Sequence, residues 1–259
     1  MAWLAPDSAF DPDAHPAPVI GICSALGDHD SGNHWHVRGQ VLFTRQGCVR
    51  IDSPGLLCLL PPSRAAWIPG GLAHRARMRE TVDYRSVYLD ATAAQGLPEQ
   101  VTILDVNPLL RELLERIAQA PFDSDWRHGA NHHLLGLCRA ELQSAQRQPM
   151  LLPLPRDRRL ARLVDGLDRL PPALGELARQ AGASEKTIGR LMRRDTGMSY
   201  QQWRQQWRLL RAVERLALNV PLGEIADELG FASDSAFIAF FRGMTGLTPG
   251  VWSRAATPG

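Results

Sequence analysis

The sequence predicts a two-domain chain: an all-β sandwich or small barrel with a helical extension, then an all-α domain. Three observations point there. Short apolar runs punctuated by glycine and proline fill Val19 to Leu89. From Asn107 onward the apolar residues recur at helical spacing instead. Near residue 155 the charge balance reverses: residues 1–155 carry 13 basic and 16 acidic side chains, residues 156–259 carry 16 and 11. A length of 259 residues suits two modest domains, and 44% hydrophobic with 22% charged residues excludes disordered and collagen-like classes.

Residues 1–18 hold Pro6, Pro12, Pro16 and Pro18 among Asp and Ala and read as a loose arm. Residues 19–105 form the β domain. Gln40–Thr44 and Gly47–Asp52 are strand-sized; Leu56–Leu60 ends at Pro61-Pro62, and Ala65–Ile68 at Pro69-Gly70-Gly71. Arg75–Glu80 and Tyr84–Leu89 alternate with period two. Residues 106–155 form the helical extension. Asn107 caps a helix with Pro108 at its first position and Leu109, Leu110, Leu113, Leu114 and Ile117 as its stripe. A second helix is expected from about Asp125 to Gln146, carrying Leu134, Leu135, Cys138 and Leu142, with Pro149 to Pro155 as a stiff linker.

Cys23, Cys48, Cys58 and Cys138 form no CxxC pair and read as small buried hydrophobes of a reduced cytosol. The acidic, proline-rich N-terminus lacks a basic leader, and no run approaches 18 apolar residues. The expectation is a cytoplasmic protein with no membrane partner.

Residues 156–259 contain an internal repeat. Leu174-Gly-Glu-Leu-Ala matches Leu222-Gly-Glu-Ile-Ala 48 residues later, as Gly182 matches Gly230. Thr196-Gly-Met-Ser matches Thr245-Gly-Leu-Thr, and Trp203 matches Trp252, at an offset of 49, so the second turn holds one more residue. Each unit reads as helix, glycine turn, second helix, the geometry of a helix-turn-helix whose second helix enters the major groove. In the first unit Ser184 caps a helix with Ile188, Leu191 and Met192 buried. Its other face carries Glu185, Lys186, Thr187, Arg190, Arg193 and Arg194. In the second, Ser233 caps a helix with Phe237, Phe240 and Phe241 as core. A long helix from about Tyr200 to Leu218 joins the units. A helical repeat that binds protein is the alternative, and the excess of basic residues argues against it.

Ala236-Phe-Ile-Ala-Phe-Phe-Arg-Gly-Met-Thr-Gly-Leu-Thr-Pro249 and Thr187-Ile-Gly-Arg-Leu-Met-Arg-Arg-Asp-Thr-Gly197 resemble the signature of AraC-type transcriptional regulators. The resemblance covers about 160–254 and implies a double helix-turn-helix that reads successive major-groove segments of double-stranded promoter DNA. Carried over by position, the reading slots are Lys186, Gly189 and Arg190 in the first helix, and Asp234, Ser235, Ile238 and Ala239 in the second. Arg190 has the geometry to pair bidentately with guanine, and Lys186 to do the same or to touch phosphate. Arg193, Arg194 and Arg204 read either as phosphate contacts or as solvated face.

In the β domain, His34 and His36 sit two apart, on one strand face, with Gln40 four residues on; His74 follows the Pro69-Gly-Gly turn. The pattern His-x-His-x3-Gln-x6-Gly, then Pro-x-Gly-x2-His, resembles a cupin barrel. Many metal-binding cupins carry Glu where this chain has the neutral Gln40. Three readings stay open: His34, His36 and His74 hold a divalent transition metal; they hold a small-molecule effector together with Gln40; or they are structural. The domain order resembles one branch of the AraC-type regulators. It implies effector sensing, a homodimer through the helices of 106–155, and RNA polymerase as partner of an activator. A metal-dependent cupin enzyme is the alternative, but no further acid, base or nucleophile accompanies the histidines. Trp67 is expected in the core, Trp35 at the surface, and His132 and His133 on a helix surface.

Overall fold

A computed structural model describes residues 3–5, 8–148 and 150–256. Pro6 of the arm and Pro149 of the linker lie outside the described residues. The chain divides into two compact units: one runs to Met150, and the other begins at Leu151 and takes in the turn Pro54–Leu57.

The period-two pattern places nine strands in the first unit. They are β1 (Val19–Leu26), β2 (His29–Asp30), β3 (Gly39–Thr44), β4 (Val49–Ser53), β5 (Leu56–Leu60), β6 (Arg64–Ile68), β7 (Arg75–Met78), β8 (Val82–Leu89) and β9 (Thr102–Asp105). One sheet runs β1-β8-β3-β6-β9, and the other contains the order β5-β4-β7-β2. In the first sheet Val19 pairs with Leu89 and Gln40 with Tyr88, so β8 lies between β1 and the central strand β3.

Both faces of that sheet are buried, which strict alternation explains. Cys23, Val41, Phe43, Trp67, Val87 and Leu89 point outward onto α1 (Pro108–Ala118) and α2 (Gly129–Ser144). Those helices supply Leu110, Leu114, Ile117, Cys138 and Leu142. The alternate residues, Gln40, Tyr84, Ser86 and Tyr88 among them, point inward. Asn107 caps α1 by accepting the Leu110 N–H at 2.7 Å, with Pro108 at the first position. The second helix starts at Gly129, later than the expected Asp125. Asp125 turns its carboxylate onto the Arg127 N–H at 2.8 Å and the His128 ring at 3.0 Å, a local turn that competes with the helix.

The arm is not loose. Leu4 donates its N–H to Cys23 O at 2.9 Å, and Ser24 Oγ donates to Leu4 O at 3.0 Å. The Asp13 carboxylate accepts the N–H groups of Val37 and Arg38 at 2.7 and 3.3 Å, while the Arg38 guanidinium donates to His15 O. Trp3 lies over the Arg85 guanidinium, 4.7 Å from its ring centre. Arg85, on β8, is buried and bonds Glu115 Oε2 of α1 at 3.2 Å, Tyr84 O and Asp83. All four cysteines are buried and none forms a disulfide among the described residues.

The second unit opens with the short strand β10 (Leu151–Pro153) and α3 (Ala161–Asp165). Six helices follow: α4 (Leu174–Gln180), α5 (Glu185–Thr196), α6 (Tyr200–Ala217), α7 (Leu222–Glu228), α8 (Asp234–Thr245) and α9 (Pro249–Ala256). Its core is built on α6. Trp203 is fully buried, donates its indole N–H to Pro153 O at 2.7 Å and stacks on Tyr200. Its repeat partner Trp252 is buried against Phe241.

Candidate nucleic-acid interface and effector pocket

The two helix-turn-helix units are built alike. In the first, Leu177 and Ala178 of α4 are buried, and the Ala183 N–H returns to Ala178 O at 3.0 Å. In the second, Phe231 returns to Ala226 O at 2.9 Å. That bond keeps the offset of 48, so the inserted residue is Ala232, just before the cap. The turns need φ of 59° at Gly182 and 69° at Gly230, which side-chain-bearing residues rarely adopt. Ser184 caps α5 on the Thr187 N–H and Ser233 caps α8 on the Ala236 N–H, each at 3.2 Å.

Burial of Ile188, Leu191 and Met192 turns the opposite face of α5 to solvent. Lys186, Arg190 and Arg193 are exposed there at i, i+4 and i+7, one stripe of the helix, with no ion pair among the described residues. Gly189 leaves open space beside them. Thr187 is half-buried, its hydroxyl 3.0 Å from Ser184 Oγ. Arg194 faces elsewhere: it pairs with Asp195 at 2.6 Å and Asp157 at 3.5 Å, and Asp195 accepts the N–H groups of Arg156 and Asp157. Arg194 therefore braces the start of this unit. Arg204 donates to Pro171 O at 2.7 Å.

On α8, Phe237 and Phe241 are buried, while Phe240 is half-buried against Phe231. Asp234, Ser235 and Ala239 are exposed and Ile238 half-buried. Arg242 continues that stripe one turn on, exposed and unpaired among the described residues. It matches Arg193 at the repeat offset of 49, a signal the sequence held but a search of the first turns alone passes over. Helix α6, with 18 residues, spans about 27 Å between the units.

The structure brings His34, His36, His74 and Gln40 together inside the β unit. His34 and His74 are backbone partners, with N–H···O bonds of 2.9 and 2.8 Å both ways, and their rings lie 4.4 Å apart. His36 lies 5.0 Å from His74 and 6.0 Å from His34. The turn before His74 packs so tightly that a side chain at Gly70 would meet Val37 O at 2.0 Å. One candidate ligand atom of each histidine lies within 4.8 Å of the others. The Gln40 amide nitrogen sits among three hydroxyls, Tyr84 at 3.1, Ser86 at 2.8 and Tyr88 at 3.2 Å. Those three come from alternate residues of β8.

These groups line a cavity of about 470 Å³ whose other walls include Ile22, Leu42, Met78 and the arm residue Phe10. Burial lowers the pKa of His36, and that of His74 to about 4, so both rings are neutral at pH 7. Trp35, between the two histidines, is 64% exposed and Trp67 is buried, as expected. His132 and His133 lie on the exposed surface of α2. No helix among the described residues is long and apolar enough to cross a membrane.

Comparison with known proteins bears on both units. The family described as "Helix-turn-helix domain" matches residues 177–255, from within α4 through both repeat units. The HTH-type transcriptional regulator NimR of Escherichia coli (strain K12) is 28% identical over 248 residues, covering 94% of this chain and 90% of that protein. The HTH-type transcriptional activator RhaR of Klebsiella pneumoniae is 34% identical over 122 residues, covering 44% of this chain and 40% of that protein. Among solved structures, the DNA-binding domain of AdpA in complex with a target DNA is 28% identical. It covers 39% of this chain and 93% of that one, at a TM-score of 0.36. The helix-turn-helix match over residues 177–255 and the similarity of nearly the whole chain to an HTH-type transcriptional regulator make the chain a DNA-binding helix-turn-helix transcriptional regulator.

Proposed function

We propose that the chain is an effector-controlled regulator of the cytoplasm that binds promoter duplex through α5 and α8 and senses a small molecule or metal in its cupin-like pocket. The stripe Lys186, Arg190 and Arg193 carries the DNA assignment: three unpaired cations on one face of a capped helix suit the major groove and its flanking phosphates. Thr187, Gly189, Asp234, Ser235, Ile238, Ala239 and Arg242 complete the reading faces. The exposed Leu109 and Leu137 on α1 and α2 support a homodimer through those helices. RNA polymerase is the further partner if target genes are activated.

The test is binding of the full chain to promoter DNA upstream of the neighbouring gene, over a range of salt. Affinity is expected to fall steeply as salt rises, and binding that ignores salt refutes the interface. Arg190→Ala is expected to weaken the cognate site by about 1–3 kcal/mol and relax preference at one base pair. Equal weakening on all sequences would make Arg190 a phosphate contact. Replacing His34 and His36 together by Ala is expected to flatten the response to effector while DNA binding persists. An unchanged response in that folded variant would leave the histidines structural.

A further inference from the structure

An acidic side chain opens both α5 and α8. Glu185 and Asp234 correspond at the repeat offset of 49, as Gly175 and Gly223 of the preceding helices do at 48. In each unit the acid lies back on that glycine. A Cβ added at Gly175 would meet Glu185 Oε1 at 3.1 Å, and one at Gly223 would meet the Asp234 carboxylate oxygens at 3.6 and 3.9 Å. Both acids are exposed, and neither carboxylate has an ion pair or a hydrogen bond among the described residues.

The first helix of a seated helix-turn-helix crosses the sugar–phosphate backbone, and the second enters the major groove by its N-terminal turn. The crook between the helices, where both carboxylates lie, therefore faces the strand. An acid has three uses there. Accepting a cytosine N4–H needs a carboxylate extended to a base edge, and these are drawn back onto the neighbouring helix. Favouring its own helix through the dipole needs only an acid in the first turn, and leaves the glycine beneath it unexplained. The third use is repulsion of the phosphates that Lys186, Arg190, Arg193 and Arg242 attract. Two unpaired carboxylates held at the same place in two units fit that use.

We propose that Glu185 and Asp234 set an upper limit on the affinity of the chain for duplex, by holding a negative charge against the backbone in each unit whatever the base sequence. The proposal rests on the DNA-reading role of α5 and α8 above. Such a limit serves switching. An operator saturated in both effector states gives no response, and a shift of population shows only where binding is near balance. Glu185, which the reading slots leave out, is then a determinant of affinity, and Asp234 acts on the backbone rather than on a base.

The full chain would be titrated against a fluorescent duplex of random sequence over a range of salt, with circular dichroism as the check on folding. Glu185→Gln and Asp234→Asn are each expected to raise affinity about threefold at low salt, and the double variant about tenfold. The gain should shrink as salt rises, because exposed charges are screened. Asp165→Asn removes an exposed, unpaired acid of α3, outside the two units, and is expected to change little.

A loss of affinity in the neutral variants would assign the acids to helix stability and overturn the proposal. So would an unchanged random duplex with relaxed preference at one base pair of the promoter site, which marks a cytosine reader. An equal gain from Asp165→Asn reduces the effect to net charge, and a gain in one unit alone breaks the pairing; either overturns it. If the parent binds duplex with steep salt dependence while the neutral variants match it, this proposal falls and the DNA-reading role stands. If neither parent nor variants bind any duplex at low salt, both fall.

Discussion

Trp203→Ala is expected to destabilise the C-terminal unit by roughly 3–5 kcal/mol and to abolish binding to the promoter site. The indole, in the first turn of α6, is fully buried, so truncation leaves a cavity that rigid helices fill only in part. It also leaves Pro153 O without its 2.7 Å donor. Domains of this size have total stabilities of about 5–15 kcal/mol, so such a loss brings the unit close to unfolding at working temperature. Trp203→Phe keeps most of the bulk and removes the N–H, and should cost about 1–3 kcal/mol. Urea unfolding of both variants, read beside DNA binding, checks the ordering. A Trp203→Ala chain within about 1 kcal/mol of the parent would show that the contact is not central.

Arg85→Leu is expected to cost the N-terminal unit about 3–5 kcal/mol, because it leaves Glu115 as a largely buried charge that has lost its closest partner. Arg45, 3.7 Å from the other carboxylate oxygen, is more than half exposed and compensates weakly. Replacing both residues, Arg85→Leu with Glu115→Leu, should recover much of the loss, since no buried charge then remains. The single variant should also respond to pH. An unpaired buried carboxylate has a raised folded pKa, so protonation favours the folded form. Its deficit should shrink as pH falls towards the unfolded value of about 4.3 and grow as pH rises through the folded one. Thermal unfolding from pH 5 to 8 measures this, and a deficit independent of pH would assign the loss to packing alone.

The elements that sequence reading placed best are those whose signal is local. The switch of period at Asn107, the caps Ser184 and Ser233 and the two turn glycines are legible within a few residues, and each sits where its chemistry demands. What stayed hidden depends on partners far along the chain. Asp13 caps the N–H groups of Val37 and Arg38 across 24 and 25 residues, so the arm read as loose when only its composition was weighed. Gln40 was legible as a neighbour of the histidines, but its hydroxyl cradle comes from β8. The period of Tyr84, Ser86 and Tyr88 was visible, yet only strand pairing shows which residue they face. Arg194 read as a candidate phosphate contact because its charge is visible in sequence and its bonds to Asp195 and Asp157 are not.

On the DNA-reading role proposed above for α5 and α8, the unequal charge of the two helices has a bearing on how target sites evolve. Helix α5 presents three unpaired cations, and α8 presents Arg242 beside short or apolar side chains. Base discrimination by long, charged donors is strong at each position, whereas methyl contacts and groove shape tolerate many sequences. A collection of natural operators aligned together should therefore be lopsided in information content, with a few nearly invariant guanine positions under α5 and a degenerate, A·T-leaning half under α8. Mutations in the second half would then drift freely. Promoters could be captured or tuned in strength through that half, without a change in the regulator itself.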